Sequence, residues 1–178
     1  MGEGKIISTP KIITLDNTEL HDFEQALDLI FSSSPGKMDA ININDKYMCL
    51  HLSDIGINAR IGKRFEEEGS KGLIGYGKQL FKELFAEKTN FSFHLKVPGM
   101  SGRKYKSEML IIANAQRFGT GANFNPAGKY NDGKFEVIVI RPYPWWFVFN
   151  LLIASFTGKL NKMRYIKVFS VTEASITL

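Results

Sequence analysis

The sequence predicts an α+β fold in which an antiparallel β-sandwich carries a few inserted helices. Residues 90–178 contain several short runs of alternating or continuously apolar residues, which is typical of strands. Turn residues separate these runs at short intervals, so we expect many antiparallel strands. Helical periodicity is found in residues 17–31, 60–87 and 145–157, which are the expected helical insertions.

Length and composition indicate one domain with a core of its own. The chain has 178 residues, of which 44% are hydrophobic and 23% are charged, an ordinary balance for a globular protein. A formal net charge of +5 favours anionic partners, namely nucleotides, lipid headgroups or nucleic acid, without choosing among them. Cys49 is the only cysteine, which excludes a disulfide within the chain and a cysteine-based metal site. No signal-peptide pattern is found, and we expect a cytoplasmic protein.

The N-terminal residues predict a short leader before the domain. Residues 1–15 are polar and weakly patterned, so we expect a loose leader there that passes into an extended piece. The domain itself is expected over residues 16–178. It begins with NTELHDFEQALDLIF, residues 17–31, whose apolar positions follow helical spacing after a capping asparagine or threonine.

A β-hairpin and two helices are expected next. Residues 38–56, MDAININDKYMCLHLSDIG, form two alternating runs around Asn44-Asp45, and this arrangement is a hairpin signature. Residues 60–87 contain two helical patterns that are separated at a Gly-Ser pair.

The second half of the chain is rich in strand patterns. FSFHLKV alternates strictly, whereas GRKYKSEMLIIANA begins with alternation and becomes continuously apolar. Strands are expected in residues 91–97, 102–115, 134–140, 164–171 and 174–178.

The first candidate site is the glycine-rich segment, residues 114–133, with the sequence NAQRFGTGANFNPAGKYNDG. Glycines can bring main-chain N–H groups against a phosphate, and long loops in compact domains are often functional. The segment lacks the lysine–serine ending of a P-loop and the strand–glycine loop–helix order of a dinucleotide site. The alternative interpretation is a surface loop whose glycines adopt positive φ.

Asn131-Asp132-Gly133 also permits two interpretations. An Asp-Gly pair favours a turn in which φ becomes positive. A hard cation needs several oxygen ligands, and the Asp132 carboxylate with the Asn131 amide would supply part of such a set. Asp132 is therefore the candidate metal ligand.

The second candidate site is an aromatic helix. WWFVFNLLIASF, residues 145–156, is the longest apolar run, and its 12 residues are too few to span a bilayer. Aromatic residues beside cations are typical of helices at a membrane interface, and the alternative is a core helix followed by a basic turn. The candidate membrane contacts are Trp145, Trp146, Lys159 and Lys162.

Several of these segments together resemble the diacylglycerol kinase and sphingosine kinase-like lipid kinases. In that family a helix, a strand, a hairpin and a "GfDA" turn follow in order, as they do in residues 26–61, where the turn reads GINA. MLIIANAQRFGTGANFNPAGKYNDGKFEVIVI, residues 109–140, is similar to the family segment "N…gGg…P.A…DG.l.v" and is the most specific match. The resemblance covers about residues 20–178 and includes the aromatic helix.

The resemblance implies the C-terminal, lipid-side half of a two-domain kinase that transfers phosphate from ATP, with Mg²⁺, to a lipid hydroxyl. The family carries a GGDGT motif in its N-terminal nucleotide-binding half and a catalytic DGE turn after the "SITL" strand, and neither motif occurs in these residues. We therefore expect no catalytic residue here, no activity of the chain alone, and the family's nucleotide-binding domain as a partner. Substrate contacts are expected at Asp54, Asn58, Asn114, Phe118 and Gly119.

Two departures from the family pattern replace carboxylates. Asn58 stands where the "GfDA" turn has an aspartate. The family loop "P-D-A-K-L-D-D-G" reads PAGKYNDG here, so that Ala127 and Asn131 replace two potential ligands of a structural magnesium and Asp132 remains.

A non-catalytic β-sandwich that binds a lipid surface or a partner through the aromatic helix is the alternative function. Binding of nucleic acid is disfavoured, because aromatic and basic residues are not interleaved on one predicted sheet face.

Overall fold

The computed structural model describes ten strands and one helix within residues 4–12, 31, 36–56, 90–116, 125, 128–159 and 162–178. The elements are β1 (Gly4–Ile12), β2 (Lys37–Ile43), β3 (Tyr47–Cys49), β4 (Leu52–Gly56), β5 (Phe91–Val97), β6 (Met100–Ser107), β7 (Met109–Ala113), β8 (Phe135–Ile140), α1 (Phe147–Thr157), β9 (Ile166–Val171) and β10 (Glu173–Thr177).

The strands form two sheets in which all neighbours are antiparallel. The large sheet has six strands in the order β3-β2-β1-β10-β5-β6, and the small sheet has four in the order β4-β7-β8-β9. Short hairpins join β2 to β3 and β5 to β6. The predicted antiparallel β-sandwich is therefore confirmed.

The inner core lies between the two sheets. Alternate residues of β5, including Phe93 and Leu95, are buried against Leu110 and Val137 of the small sheet. The residues of β5 between them are exposed, because the other face of the large sheet is open to solvent there. The strict alternation in FSFHLKV thus has a direct physical cause.

A second core, here called the helix-side core, covers the other face of the small sheet. Ile111 of β7 and Ile138 of β8 pack there with Phe147 and Ala154 of α1. All residues of β7 and β8 are buried, because inner core and helix-side core cover both faces of these strands. This double burial explains why MLIIA and FEVIVI are continuously apolar rather than alternating.

Helix α1 begins two residues later than the apolar run that predicts it. The ring of Phe147, the first residue of α1, packs against the ring of Tyr165, which directly precedes β9, with ring centroids 4.7 Å apart. The left-handed residue Gly158, at φ 66°, ends the helix, and its N–H donates to the main-chain O of Ala154. No helix in the described part of the chain is long and apolar enough to cross a membrane.

The N-terminal residues differ from the prediction. Residues 4–12, for which a loose leader passing into an extended piece was expected outside the domain, form β1 between β2 and β10 and belong to the large sheet. The hairpin turn at Asn44 and Asp45 is confirmed, with φ of 56° and 53°. The predicted helices over residues 17–31 and 60–87 lie outside the described residues, apart from Phe31.

Candidate functional site

A buried amide ties the start of the glycine-rich segment to the large sheet. Asn114 Nδ2 donates to the main-chain O of Asp39 in β2 at 2.7 Å and to that of Leu50 at 3.1 Å. Its main-chain N–H donates to His51 O at 2.9 Å. Asn114 is 1% exposed, and none of the described residues donates a hydrogen bond to its Oδ1. These contacts fix the direction in which the chain leaves β7.

The same residue of β2 also holds the end of the segment. The main-chain N–H of Asp39 donates to Tyr130 O at 2.6 Å, and the N–H of Gly133 donates to Asp39 Oδ2 at 2.6 Å. Asp39 is buried, so its carboxylate is committed to this turn. Residues at both ends of the glycine-rich segment therefore share a hydrogen-bond partner, Asp39, in the large sheet.

Residues farther inside the glycine-rich segment are joined to one another by a second set of hydrogen bonds. The N–H of Asn125 donates to Gln116 O at 3.1 Å, and the N–H of Gly128 donates to Asn125 O at 3.0 Å. Gln116 Nε2 in turn donates to Gly128 O at 2.8 Å. Residues 117–124, which the structure does not describe, are therefore flanked by residues that contact one another.

The buried side chain of Glu136 contacts one of these residues, Asn125. Glu136 Oε2 of β8 accepts a hydrogen bond from Asn125 Nδ2 at 2.5 Å, and Glu136 Oε1 accepts one from Ser170 Oγ of β9 at 2.9 Å. Burial raises the pKa of Glu136, and the hydrogen bonds from Asn125 and Ser170 oppose that change. Sequence reasoning missed this group, although a single carboxylate in the apolar run KFEVIVI is a recognisable signal.

Residues 131–133, with the sequence Asn-Asp-Gly, have the geometry of a turn. Gly133 has φ 71°, and Asp132 Oδ1 accepts a hydrogen bond from the N–H of Lys134 at 3.1 Å. Asp132 is exposed, and the described residues contain no group of three or more His, Cys, Asp or Glu that could hold a metal ion. One carboxylate would supply only part of the oxygen set that a hard cation needs, and metal binding by Asp132 stays a prediction.

The structure does not bring together the two predicted substrate contacts that it describes. Asp54 of β4 pairs in register with Ile111, whose side chain lies in the helix-side core, so Asp54 is on the α1 side of the small sheet. Asn114 reaches to the opposite side, towards the large sheet. The other predicted contacts, Asn58, Phe118 and Gly119, lie outside the described residues.

The predicted membrane contacts lie at the two ends of α1. Trp145 and Trp146 precede the helix and are exposed, and Lys159 and Lys162 follow it and are exposed as well. Sequence reasoning missed two exposed apolar side chains between these ends, Phe149 and Ile153. Phe149 and Ile153 are four residues apart, and this spacing is the signal that places them on one face of α1.

Most of this chain is similar to known proteins. The family model described as the YegS C-terminal NAD kinase beta sandwich-like domain matches residues 53–177. One solved structure, of a protein from Bacillus anthracis str. Sterne designated a diacylglycerol kinase, is similar with a TM-score of 0.52 and 13% sequence identity. The similarity covers 72% of this chain and 41% of that chain.

Further solved structures, of proteins from Bacillus anthracis str. Sterne that are designated diacylglycerol kinases, have TM-scores of 0.49 and 0.45, at 17% and 18% identity. They cover 72% of this chain, and 41% and 42% of theirs. No curated protein sequence matches the chain. The chain thus spans less than half the length of the solved structures that it resembles.

Proposed function

The chain belongs to the family of YegS C-terminal NAD kinase beta sandwich-like domains, and we propose that it is the lipid-facing half of an ATP-dependent lipid kinase. That enzyme transfers the γ-phosphate of ATP to the hydroxyl of diacylglycerol or of a sphingoid base, at the cytoplasmic side of a membrane. The observation that carries the proposal is the family match over residues 53–177, which runs from the second residue of β4 to the end of β10. The similar fold of a protein designated a diacylglycerol kinase supports it.

In this proposal the phosphate chemistry belongs to a separate nucleotide-binding half. Neither GGDGT nor DGE occurs in the sequence, and among the residues that the structure describes no cluster of His, Cys, Asp or Glu could hold a metal ion. We therefore assign no step of phosphate transfer to the described residues. We propose that the chain alone does not phosphorylate lipids.

The proposed task of this half is to shape the lipid side of the site. Asn114 is almost fully buried, so we assign it a positioning role: it sets the course of the chain that leads to Phe118 and Gly119. Those two residues and Asn58 are retained as proposed substrate contacts. Asp54, which is half-buried on the α1 side of the small sheet, is retained as a fourth.

The test is phosphorylation by the whole gene product that contains this chain. Purified protein is given radiolabelled ATP, Mg²⁺ and either diacylglycerol or sphingosine in mixed micelles. We expect labelled lipid from the whole product and background labelling from the 178-residue chain alone. Labelling by the chain alone well above background would contradict the proposed division between the two halves.

A pair of variants tests the contribution of Asp54. Asp54→Asn in the whole product is expected to raise KM for the lipid about tenfold, corresponding to the loss of one polar contact, with KM for ATP unchanged. Asp45→Asn is the matched control, because Asp45 lies in the exposed β2–β3 turn and asparagine keeps the acceptor used by Asn42 Nδ2. Equal lipid KM in both variants would remove Asp54 from the proposed site.

A non-catalytic lipid-binding module is the second candidate function. The exposed apolar side chains of α1 favour it, because they are suited to a lipid surface whether or not a kinase is present. A gene product without a nucleotide-binding half that still binds vesicles would support this candidate over the first.

A further inference from the structure

We propose that the outer face of α1, by which we mean Phe149 and Ile153 together with the preceding Trp145 and Trp146, docks this domain on a bilayer that contains anionic lipids. The four side chains are 61%, 51%, 56% and 63% exposed, in that order. Phe147 and Ala154 on the opposite side of the helix are buried in the helix-side core. The helix is thus anchored by one face and presents a second apolar face to the surroundings.

Such a face requires a partner that accepts large apolar groups. Phe149 and Ile153 lie one helical turn apart on α1, and Trp145 and Trp146 directly precede the helix, so the exposed apolar side chains are grouped in one stripe. Groups of exposed apolar side chains mark interaction sites, whereas single exposed apolar residues do not. The stripe consists of the residue types that helices at lipid interfaces use on their buried face.

The length of α1 fits a helix that lies on the membrane surface. Its 11 residues give a length of about 16 Å, about half of the roughly 30 Å that a bilayer's hydrocarbon layer measures. The paired tryptophans at its start match the preference of tryptophan for the boundary between headgroups and acyl chains. The helix would lie parallel to the surface with its outer face in that boundary.

The charges around α1 identify the kind of lipid. Residues 137–172 contain no aspartate or glutamate and carry five cations, namely Arg141, Lys159, Lys162, Arg164 and Lys167. Lys159, Lys162 and Arg164 are exposed, whereas Lys167 Nζ lies 5.8 Å from the ring centroid of Tyr105. Exposed cations beside an apolar face attract anionic headgroups.

The same charges disfavour a second copy of the chain as the occupant. A symmetric dimer through this face would place identical cation-rich segments against each other, because a two-fold interface uses the same patch on both subunits. The segment offers no carboxylate of its own to compensate for that repulsion. With an anionic bilayer as the occupant, the cations face opposite charges and the apolar side chains enter an apolar environment.

Intrinsic fluorescence gives a site-specific test. The chain has two tryptophans, both exposed at the start of α1, so its tryptophan emission reports directly on the outer face. With vesicles of phosphatidylcholine and phosphatidylglycerol at low salt, we expect the emission to shift to shorter wavelength and the protein to co-sediment. With vesicles of phosphatidylcholine alone, or at high salt, both effects should weaken strongly.

Matched variants separate the apolar and the charged contributions. Phe149→Gln with Ile153→Gln is expected to weaken vesicle binding at least tenfold, whereas Met48→Gln with Met100→Gln, at exposed positions of the large sheet, should leave it unchanged. Lys159→Gln with Lys162→Gln should weaken binding about 30-fold, since each cation near an anionic surface contributes about 1 kcal/mol. Lys104→Gln with Lys106→Gln, at exposed positions of β6, is the charge-matched control.

Three results would overturn the proposal: no emission shift with anionic vesicles at low salt, equal binding by the Phe149/Ile153 variant, or an emission shift that grows with protein concentration in the absence of lipid. The last result would assign the face to a second copy of the chain. Circular dichroism shows whether each variant is folded, and the substituted side chains are exposed. The measurements contain neither ATP nor a substrate lipid, so their failure is distinguishable from failure of the kinase proposal.

Discussion

The side chain of Asn114 donates a hydrogen bond to the main-chain O of Asp39 at 2.7 Å and thereby joins the end of β7 to the large sheet. The carboxylate of Asp39 also accepts a hydrogen bond, with 2.6 Å between the main-chain N of Gly133 and Asp39 Oδ2. Residues at both ends of the glycine-rich segment are therefore held by one residue of β2. The position of any surface that this segment presents therefore depends on how the two sheets pack against each other.

Removing the Asn114 amide should lower stability. Asn114→Ala leaves two main-chain oxygens, those of Asp39 and Leu50, without this donor. We expect a loss of about 2–4 kcal/mol in the free energy of unfolding, because an unsatisfied buried polar group costs about 1–3 kcal/mol. Urea denaturation measures it, with the exposed Asn131→Ala as control. A loss for Asn114→Ala no larger than for the control would show that the tie is unimportant.

Gly56, the first residue of the GINA turn, is expected to tolerate no side chain. Its φ is 115°, and a Cβ at this position would collide with the main-chain O of Glu108. Gly99 also has positive φ, 77°, but its surroundings are open. Thermal unfolding should show that Gly99→Ala loses about 1–2 kcal/mol from backbone strain and that Gly56→Ala loses clearly more. Similar losses for both variants would contradict the close approach of β4 and Glu108.

Two phenylalanines distinguish the faces of α1. Phe147 is 5% exposed and packs on Tyr165, whereas Phe149 is 56% exposed. Phe147→Ala should lower the free energy of unfolding by about 3–5 kcal/mol, the usual effect of truncating a buried aromatic residue. Phe149→Ala should change it by less than about 0.5 kcal/mol. The reverse order in denaturant titrations would mean that α1 is rotated from the orientation that the docking proposal requires.

Glu136 should give stability a specific pH dependence. Because burial raises its pKa above the ordinary 4.5, the native state keeps a proton at this site that the unfolded chain has already released. The contribution of Glu136 to the free energy of unfolding therefore falls as pH rises from about 4.5 through the raised pKa. Glu136→Gln removes this titration and keeps an oxygen acceptor for Ser170 Oγ.

Unfolding measured in urea over a pH series tests this sign. The free energy of unfolding of the natural chain minus that of Glu136→Gln should decrease as pH rises through that window and be constant above it. A difference that increases with pH would mean that the hydrogen bonds from Asn125 and Ser170 outweigh desolvation.

The features that sequence predicted correctly depend on near neighbours. The β2–β3 turn is set by Asn44 and Asp45 themselves, and the alternation of β5 follows from its one open face. The place of β1 in the large sheet was not predicted, because it is decided by partners far along the chain, β2 on one side and β10 on the other. A polar, weakly patterned segment does not reveal such long-range pairing.

The candidate site shows the same division. Asn114 was singled out by its family pattern as a substrate contact, which stays a prediction, whereas its bond to Asp39 spans 75 positions and cannot be read from local spacing. The outer face of α1 was only partly predicted, because a helix that is apolar nearly all round does not reveal which side faces the sheet. Packing of Phe147 against Tyr165 decides that question in the fold.

Lipid phosphorylation by the whole gene product is the most direct measurement of whether this family member is the lipid-side half of a kinase. Transfer of labelled γ-phosphate from ATP to diacylglycerol or sphingosine is compared between the whole product and the 178-residue chain. We expect labelled lipid from the whole product and background from the chain. Labelling of neither lipid by a whole product that is folded and binds ATP, or labelling by the chain alone, would contradict the proposed function.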